Sequence, residues 1–242
     1  MSLKLVSINI EYDKHFDTVL PFLRLEQPDI VCVQELFLVD IPRLQEELNM
    51  GFLFFPCTRM EAETQYNIAP RGIGGFAMFS RLPFVQAKLQ AYSGDPGQIK
   101  TFGKPNDEIR GVIAAEYRKG SDVYTIATTH FTWTPKGEPN EAQRTDVVSI
   151  KHIIDLYPEV IFTGDMNAPR GGEIFARLSE GLTDAIPPEI VTTIDPKFHY
   201  SGGLDLVVDA LFLSKHYHAD TVRVVGGVSD HKAVVTEISR VN

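Results

Sequence analysis

The stretch VIFTGDMNAPRGG, from Val160 to Gly172, joins a short apolar run to a turn with polar side chains. The apolar run stops at Gly164, and Asp165 and Asn167 follow two positions apart. Gly tolerates positive φ, and Asp and Asn side chains bond their own backbone, so all three are ordinary turn residues. Alone, the segment predicts a buried strand that ends in a turn. A catalytic role for Asp165 and Asn167 requires partners elsewhere in the chain.

Length and composition favour one folded domain over residues 1–242. Hydrophobic residues make up 43% of the 242 residues and charged residues 23%, as in ordinary globular proteins. Pro and Gly fall in short loops, and neither a repeat nor a linker is visible. The net charge of −9 disfavours non-specific binding of long undamaged DNA, which usually needs a basic surface. Clustered acidic side chains would instead favour a divalent cation.

The expected location is the cytoplasm, without integral membrane association. No apolar run approaches the length that spans a bilayer, and the first residues do not resemble a signal peptide. Cys32 and Cys57 are expected to be reduced thiols, and no Cys/His spacing indicates structural zinc.

The pattern along the chain is many short strands with few helices. Helices are predicted over 14–27, 40–50 with Asp40 as N-cap, 140–158 and 172–182, and a strand over 204–214. Lys119-Gly120-Ser121-Asp122 is expected to join two strands as a hairpin. The hairpin and the strand-dense middle disfavour an all-parallel doubly wound sheet. They favour an α/β fold with two sheets packed face to face and helices outside.

Several predicted strands contain, or end in, residues capable of chemistry. Each has an ordinary structural interpretation, but two are unusual. Asp209 lies among apolar neighbours and needs a partner, for which a histidine is suitable. Arg110 within a strand needs a carboxylate or a phosphate. The full set is Asn9, Glu35, Arg110, His130, Asp165, Asn167, Asp209, Asp230 and His231.

Taken together, these residue types suit phosphoester hydrolysis. That chemistry needs a metal to neutralise phosphoryl charge, a base to prepare water, and donors for the developing negative charge. A serine or cysteine nucleophile is less supported, because no G-x-S-x-G occurs and both cysteines have apolar neighbours. No P-loop or dinucleotide fingerprint occurs either, since GIGGF lacks a following helix.

The same segments resemble the endonuclease/exonuclease/phosphatase superfamily, which has the DNase I-like fold. They occur in the family's order across nearly the whole chain: SINI, QPDIVCVQEL, IRGVIAAEY, TIATTHF, VIFTGDMNAP, VVDALFLS and VSDHKAVV. The resemblance implies a four-layer α/β sandwich of two packed, mainly antiparallel sheets flanked by helices. It also implies a site at one edge of the two central sheets.

The resemblance implies Mg²⁺ or Mn²⁺ as cofactor. Glu35 would bind this ion, with Asn9 beside it and Asp230 as a further contributor.

The remaining roles implied by the resemblance concern water and phosphate. Asp165 would orient or deprotonate the attacking water, and Asn167 would bond phosphoryl oxygens. His231, held by Asp209, would contact the phosphate and take part in proton transfer. His130 would stabilise the transition state or assist the leaving group. Asp165 is preferred to His231 as the base.

Three further residues are candidates for substrate contact. Arg110 is a candidate phosphate ligand, and Arg170 could also reach the phosphate. Trp133 could stack on a base or sugar, or could simply pack.

The expected activity is metal-dependent hydrolysis of a phosphodiester or phosphomonoester by in-line water attack. A nuclease or DNA-repair phosphodiesterase of the same superfamily is one alternative, and a catalytically silent binding protein is another. His130 replaces the Tyr of AP endonuclease-like members and Ala210 replaces a bulkier residue, so abasic-site activity is in doubt. The substrate could be a small molecule, a lipid headgroup or a nucleic acid, and no protein partner is indicated.

Overall fold

The computed structural model describes residues 1–241, which form twelve strands and four α-helices. The helices are α1 Phe16–Glu26, α2 Ile41–Leu48, α3 Glu141–Ile154 and α4 Glu173–Leu178. The strands are β1 Leu3–Asn9, β2 Ile30–Phe37, β3 Gly51–Met60, β4 Gly72–Ser80, β5 Phe84–Ser93, β6 Arg110–Lys119, β7 Asp122–His130, β8 Ile161–Asp165, β9 Thr183–Asp184, β10 Asp209–Leu213, β11 Tyr217–Val225 and β12 Ala233–Arg240.

The strands form two sheets of six. The order in the first sheet is β11-β12-β1-β2-β4-β3, and in the second sheet β5-β6-β7-β8-β10-β9. Over residues 1–241, β1/β2 is the parallel pair of the first sheet and β7/β8 that of the second; the other pairings are antiparallel. The prediction of two mainly antiparallel sheets is confirmed.

Three apolar clusters define four layers. One cluster lies between the sheets, with Leu5 and Cys32 from the first and Ile126 from the second. A second cluster joins the outer face of the first sheet to α1 and α2. A third joins the outer face of the second sheet to α3 and α4. Each sheet is therefore covered on both faces, as expected for two sheets packed face to face with helices outside.

The alternation of side chains decides which face each strand residue occupies. In β1, Leu3 and Leu5 pack between the sheets, whereas Val6 and Ile8 face the helices. Successive side chains of a strand point to opposite faces, so Asn9 shares the inter-sheet face with Leu3 and Leu5. The same parity places His130, Asp165 and Asp209 on the inter-sheet face of the second sheet. These polar residues thus lie where the space between the sheets opens at one edge.

The predicted hairpin is confirmed, because Lys119 of β6 pairs with Asp122 of β7 and Gly120 has φ 62°. The helix predicted over 140–158 is also confirmed as α3, whose core-facing side chains include Val147, Ile150 and Ile154.

Helix α1, Phe16–Glu26, lies within the predicted range 14–27. Asp40 occupies the predicted N-cap position of α2, but it makes no capping bond, because its carboxylate accepts a hydrogen bond from Arg71 at 2.8 Å. One local prediction was wrong. The strand predicted over 204–214 begins only at Asp209, and residues 202–208 have no regular structure.

Within residues 1–241, no helix is both long and apolar enough to cross a membrane.

Candidate active site

The candidate site lies at the carboxyl ends of the two parallel strand pairs. Asn9 ends β1, His130 ends β7 and Asp165 ends β8, and Glu35 lies near the end of β2. His130 and Asp165 are register partners across β7/β8. Strand β10 runs the opposite way, so its first residue, Asp209, pairs with Asp165 at the same edge. The topology therefore gathers residues that are up to 200 positions apart.

Glu35 reaches this edge through a β-bulge. Val33 pairs with Ala77 and Leu36 with Gly75, so two residues of β2 oppose one residue of β4. Glu35 itself has φ 53°, in the left-handed region that non-glycine residues rarely adopt. Val31 and Val33 face the helices, so strict alternation would send Glu35 there as well. The bulge instead brings its carboxylate to Asn9.

Asn9 joins the two sheets at the site. Its side-chain amide donates to Glu35 Oε1 at 3.0 Å and to Asp165 Oδ2 at 3.1 Å. Its side-chain oxygen accepts the backbone N–H of Glu11 at 3.1 Å. Asn9 is buried, so these bonds fix the separation of the two carboxylates.

The Gly164–Asn167 segment is a turn, as its residue types predicted, and it also holds side chains in the site. Gly164 has φ 141°, and a Cβ there would lie 2.1 Å from the carbonyl oxygen of Thr129. Asp165 Oδ1 accepts the backbone N–H of Asn167 at 2.8 Å. Asn167 has φ 46°, and its amide donates to the carbonyl of Phe131 at 3.0 Å. Glycine thus lets β8 approach β7, and the Asx turn then orients Asp165.

His231 and Asp209 form the expected buried pair. His231 Nδ1 lies 2.9 Å from Asp209 Oδ2, and His231 Nε2 lies 3.8 Å from Asp165 Oδ2. Thr193 Oγ1 accepts the backbone N–H of Asp209 at 3.1 Å, which anchors the start of β10. Burial acts to lower the pKa of His231, but the carboxylates of Asp209 and Asp165 outweigh it and hold the pKa well above its usual range. An imidazolium at this position separates two carboxylates that would otherwise repel each other.

His130 has the opposite electrostatic character. Its Nε2 lies 3.5 Å from Asp165 Oδ2 and 3.8 Å from Glu35 Oε1. Burial lowers the pKa of His130 to about 3, although Asp165 opposes the shift. Arg110 and His231, both cationic neighbours, add to the lowering. His130 is therefore a neutral imidazole that can donate a hydrogen bond, while His231 is a cation.

The carboxylates are suited to hold a divalent cation. Burial and, second to it, the nearby charge of Asp230 raise the pKa of Glu35 to about 8. Burial also raises the pKa of Asp230. Glu35 is half-buried and Asp230 is buried, so both carboxyl groups resist ionisation. A bound cation would relieve this cost, and Mg²⁺ and Mn²⁺ prefer oxygen donors. The residues present therefore fit the implied ion.

The polar groups also cluster in two sets of potential metal ligands. One set is Asp165, Asp209 and His231, and the other is Glu11, His15 and Asp230; within each set the ligand atoms lie within 4.8 Å of one another. Asp230 thus neighbours Glu11 and His15, two residues that sequence analysis did not single out. Both lie in the turn between β1 and α1, where no regular helical spacing marks such a pair in the sequence.

Arg110 lines the pocket, in keeping with the predicted phosphate contact, whereas Arg170 is placed elsewhere. Arg110 is buried, and its guanidinium contacts Glu108 at 2.7 Å and the carbonyl of His130 at 3.2 Å. Arg170 lies outside the pocket lining and contacts Asp184 at 2.7 Å. It also donates to the carbonyls of Ile186, Pro187 and Ile190. Both guanidinium groups are thus engaged by protein oxygens, and Arg170 ties a loop to α4.

Trp133 lines the pocket beside the polar edge, as a substrate contact requires. Its backbone exchanges two hydrogen bonds with the side chain of Asn106, at 2.7 and 3.1 Å. Asn106 and Gln143 of α3 were not singled out by sequence analysis either, and Gln143 donates to the carbonyl of Asn167 at 3.1 Å. Neither Asn106 nor Gln143 belongs to a recognisable motif, so only the fold shows these contacts.

The sequence matches a family model over residues 6–231, and the description of that model is the endonuclease/exonuclease/phosphatase family. The chain belongs to this family. A comparison with curated proteins gave no match.

Solved structures show the same fold at low sequence identity. A family protein from Bacteroides thetaiotaomicron is 16% identical, with 98% of this chain and 97% of that chain covered and a TM-score of 0.74. The human Nocturnin catalytic domain with bound sulfate anion is 18% identical, with 99% and 94% covered and a TM-score of 0.73. The mannosyl-6-phosphatase Bt3783 of Bacteroides thetaiotaomicron is 16% identical, with 98% and 100% covered and a TM-score of 0.72. The DNase I-like sandwich is therefore confirmed for this chain.

Proposed function

We propose that this chain is a divalent-metal-dependent phosphoesterase that hydrolyses a phosphodiester or phosphomonoester by in-line attack of water. The observation that carries the proposal is the convergence of Glu35, Asn9 and Asp165 with the His231–Asp209 pair at one open edge. This edge combines a cation site, a carboxylate base and a cationic donor. Membership of a family that contains phosphoester hydrolases supports it.

Glu35 would hold the ion, with Asn9 fixing the carboxylate and Asp230 as a second acidic contributor. When bound, Mg²⁺ or Mn²⁺ supplies Lewis-acid neutralisation of the phosphoryl charge. Asn9 keeps Glu35 and Asp165 apart at a set distance through its two hydrogen bonds. The ion held by Glu35 and the base Asp165 would therefore act on the same phosphoryl group.

Asp165 is the proposed base for the attacking water. One of its oxygens is bonded by the backbone of Asn167, so the other, Oδ2, faces Asn9, His130 and His231. A general base must lie within hydrogen-bond reach of the proton it removes, and this oxygen is directed into the site.

His231 and His130 would have different roles at the phosphoryl group. Asp209 bonds Nδ1 of His231, which leaves Nε2 with its proton directed at the pocket. That imidazolium would bond a phosphoryl oxygen and take part in proton transfer. Neutral His130 and the amide of Asn167 would donate to the charge that develops in the transition state.

The first experiment measures hydrolysis of bis-p-nitrophenyl phosphate and p-nitrophenyl phosphate with Mg²⁺, with Mn²⁺ and with EDTA. We expect turnover with metal, and a fall of about 10²–10⁴-fold in Glu35→Ala, Asp165→Ala and His231→Ala. Glu173→Gln is the matched control, because this carboxylate is exposed, pairs with Arg144 outside the pocket and should not alter turnover. Wild-type turnover in all three alanine variants would refute the proposal.

A silent binding protein would give a different result. Calorimetry with Mg²⁺ or Mn²⁺ would still detect binding that depends on Glu35, but no ester in a panel of diesters, sugar phosphates and single-stranded DNA would be hydrolysed. Absence of Glu35-dependent metal binding would exclude both the enzyme and the metal site.

A DNA-repair phosphodiesterase is a second candidate within the same chemistry. A D. rerio TDP2 structure complexed with single-strand DNA product is 17% identical to this chain, with 98% and 99% covered and a TM-score of 0.64. The net charge of −9 argues against extended DNA as the ligand. Single-stranded DNA and 5′-tyrosyl DNA in the substrate panel distinguish the two.

The proposal further places the enzyme in the cytoplasm as one domain over residues 1–242. Two free, buried thiols at Cys32 and Cys57 support a reducing compartment.

A further inference from the structure

The pocket that contains the carboxylates continues into an apolar wall. Met60, Tyr66, Ile68 and Phe102 line it, and they pack with Tyr12 and Phe37 in a cluster separate from the three apolar clusters of the sandwich. Met60 and Ile68 are almost fully buried, whereas Tyr66 and Phe102 are half-buried. This cluster lies directly beside the polar edge. Tyr12 closely follows Asn9 in the sequence, and its backbone N–H donates to the carbonyl of Glu35 at 2.8 Å.

Two tyrosines close this apolar side from different loops. The rings of Tyr66 and Tyr200 lie 5.7 Å apart between centroids at an angle of 55°. Lys14 Nζ donates to the carbonyl of Tyr66 at 2.6 Å, which holds its loop against the segment after β1. Tyr200 is 70% exposed, although it borders a pocket. A large aromatic side chain exposed at a pocket rim leaves apolar area that a ligand can cover.

The charges of the pocket restrict the ligand to few phosphoryl groups. Over residues 1–241, the cationic side chains that line the pocket are His231, Arg110 and Lys136, and His231 lies between the carboxylates of Asp165 and Asp209. Arg110 is neutralised by Glu108 at 2.7 Å, and Lys136 is exposed. A second or third phosphate would therefore meet the acidic side chains of the pocket with little cationic compensation.

We propose that the substrate is an ester of a single phosphoryl group that carries a planar aromatic ring, with Tyr66 and Tyr200 as specificity-determining residues. The phosphoryl group lies at the Glu35–Asp165 edge, and the ring covers the apolar wall beside the tyrosine pair. An aryl group and a nucleobase share this chemistry. The inference rests on the proposed phosphoesterase function and specifies the substrate class for the same site.

The test compares matched ligands that differ by one ring. Phenylphosphonate and methylphosphonate are used at a pH where both are dianions, and thymidine 5′-monophosphate is compared with 2-deoxyribose 5-phosphate. Each is measured as a competitor of Mn²⁺-dependent hydrolysis of bis-p-nitrophenyl phosphate. We expect the ring-bearing member of at least one pair to bind about tenfold more tightly, the scale of an aromatic contact. The pair with the larger ratio identifies the source of the ring.

Variants separate recognition from folding. In Tyr66→Ala and Tyr200→Ala the ratio should fall toward one, whereas Tyr66→Phe and Tyr200→Phe should keep it because the ring remains. Phe84→Ala is the matched control: Phe84 is 57% exposed on β5, outside the pocket lining, and the ratio should be unchanged. Because the readout is a ratio of two ligands on one protein, a general loss of stability does not imitate it.

Two outcomes overturn the inference: no preference for either ring-bearing ligand in the wild type, or an unchanged preference in both alanine variants. Neither outcome affects Glu35-dependent hydrolysis, which tests the proposed function separately. If hydrolysis is absent, the four ligands are compared by calorimetry with Mn²⁺. A ring preference lost in the tyrosine variants would still support the aromatic subsite.

Discussion

The two parallel strand pairs, β1/β2 in the first sheet and β7/β8 in the second, hold their polar side chains in different ways. His130 and Asp165 are direct register partners in an uninterrupted ladder, and regular alternation turns both toward the site. In the first sheet, Asn9 pairs with Gln34, and Glu35 reaches the site only through a bulge with φ 53°. The second sheet thus positions its groups by regular pleating, whereas the first accepts backbone strain to position one carboxylate.

The difference extends to the charges. On the second-sheet side, Asp165 and Asp209 face a histidine cation, and Arg110 faces Glu108. Glu35 on the first-sheet side accepts a hydrogen bond from the amide of Asn9, and among residues 1–241 its neighbour within salt-bridge distance is His130, which is neutral. We expect substitutions in the second sheet to break existing pairs, and substitution of Glu35 to relieve a cost.

The largest expected effect follows from breaking the His231–Asp209 pair. Asp209→Asn should lower kcat by about 10²–10⁴-fold, because His231 loses the carboxylate that fixes its tautomer and charge. Steady-state hydrolysis of bis-p-nitrophenyl phosphate measures it. Asp220→Asn is the control, since Asp220 contacts Ser239 on β12 outside the pocket and kcat should stay at the wild-type value. An unchanged kcat in Asp209→Asn would contradict the assigned role.

Arg110 tests whether a buried pair supports the second sheet. Arg110→Ala should lower the free energy of unfolding by about 3–5 kcal/mol, because it leaves the carboxylate of Glu108 buried without its partner. Urea unfolding measures this loss. The double variant with Glu108→Ala should lose less than the sum of the single losses, because the two groups interact. A raised KM in Arg110→Ala without a loss of stability would instead support the predicted contact between Arg110 and the phosphate.

Arg170 should have a smaller effect of the same kind. Arg170→Ala removes the contact with Asp184 and the bonds to three loop carbonyls, and should cost about 1–3 kcal/mol in urea unfolding. KM and kcat of the folded enzyme should be unchanged, since Arg170 does not line the pocket. Arg118→Ala, an exposed arginine of β6, provides the reference for a change without such contacts. A raised KM in Arg170→Ala would show that Arg170 does reach the substrate.

The smallest expected effect has the opposite sign and concerns the first sheet. The pKa of Glu35 is raised to about 8 by burial and by Asp230, whereas in the unfolded chain it is ordinary. The unfolded state therefore loses this proton at lower pH, so metal-free protein loses stability as pH rises from the unfolded pKa toward 8. Glu35→Gln should remove that loss and melt a few degrees higher than wild type at pH 8 in EDTA.

Adding Mg²⁺ should reverse the order of the two proteins. The wild type should gain melting temperature with metal concentration, because an ion that binds the folded state stabilises it, and the variant should not. The same comparison at pH 5 should show little difference in EDTA. If Glu35→Gln is less stable than wild type at pH 8 without metal, ionised Glu35 does not destabilise the metal-free protein, and this prediction is refuted.

Much of the architecture could be predicted from the sequence, because buried strands have recognisable patterns of apolar residues. The strand-dense middle of the chain predicted two sheets packed face to face, and the Lys119–Asp122 tetrad predicted its hairpin. The Asp209–His231 contact was predictable in kind, since a carboxylate among apolar neighbours needs a cation. The family motifs then located the remaining polar residues at one edge.

Other features could not be predicted, because they depend on which partner arrives from a distant part of the chain. Arg110 needed a carboxylate or a phosphate, and only the fold shows Glu108 beside it. Arg170 follows the family motif but turns to loop carbonyls. The bulge at Glu35 contains no glycine that would mark it in the sequence. Asp40 has the residue type of a helix cap, and only the fold shows that Arg71 bonds its carboxylate.

Gly164 limits how the active edge can be redesigned. Any other residue there would need to displace the backbone of Thr129, next to His130, while also adopting φ 141°. Substitution would therefore alter the spacing between His130 and Asp165 before it changed any reacting group. A library that varies substrate preference should keep this position constant and place its diversity in the loops that carry Tyr66 and Tyr200, where side chains can change without moving the strands.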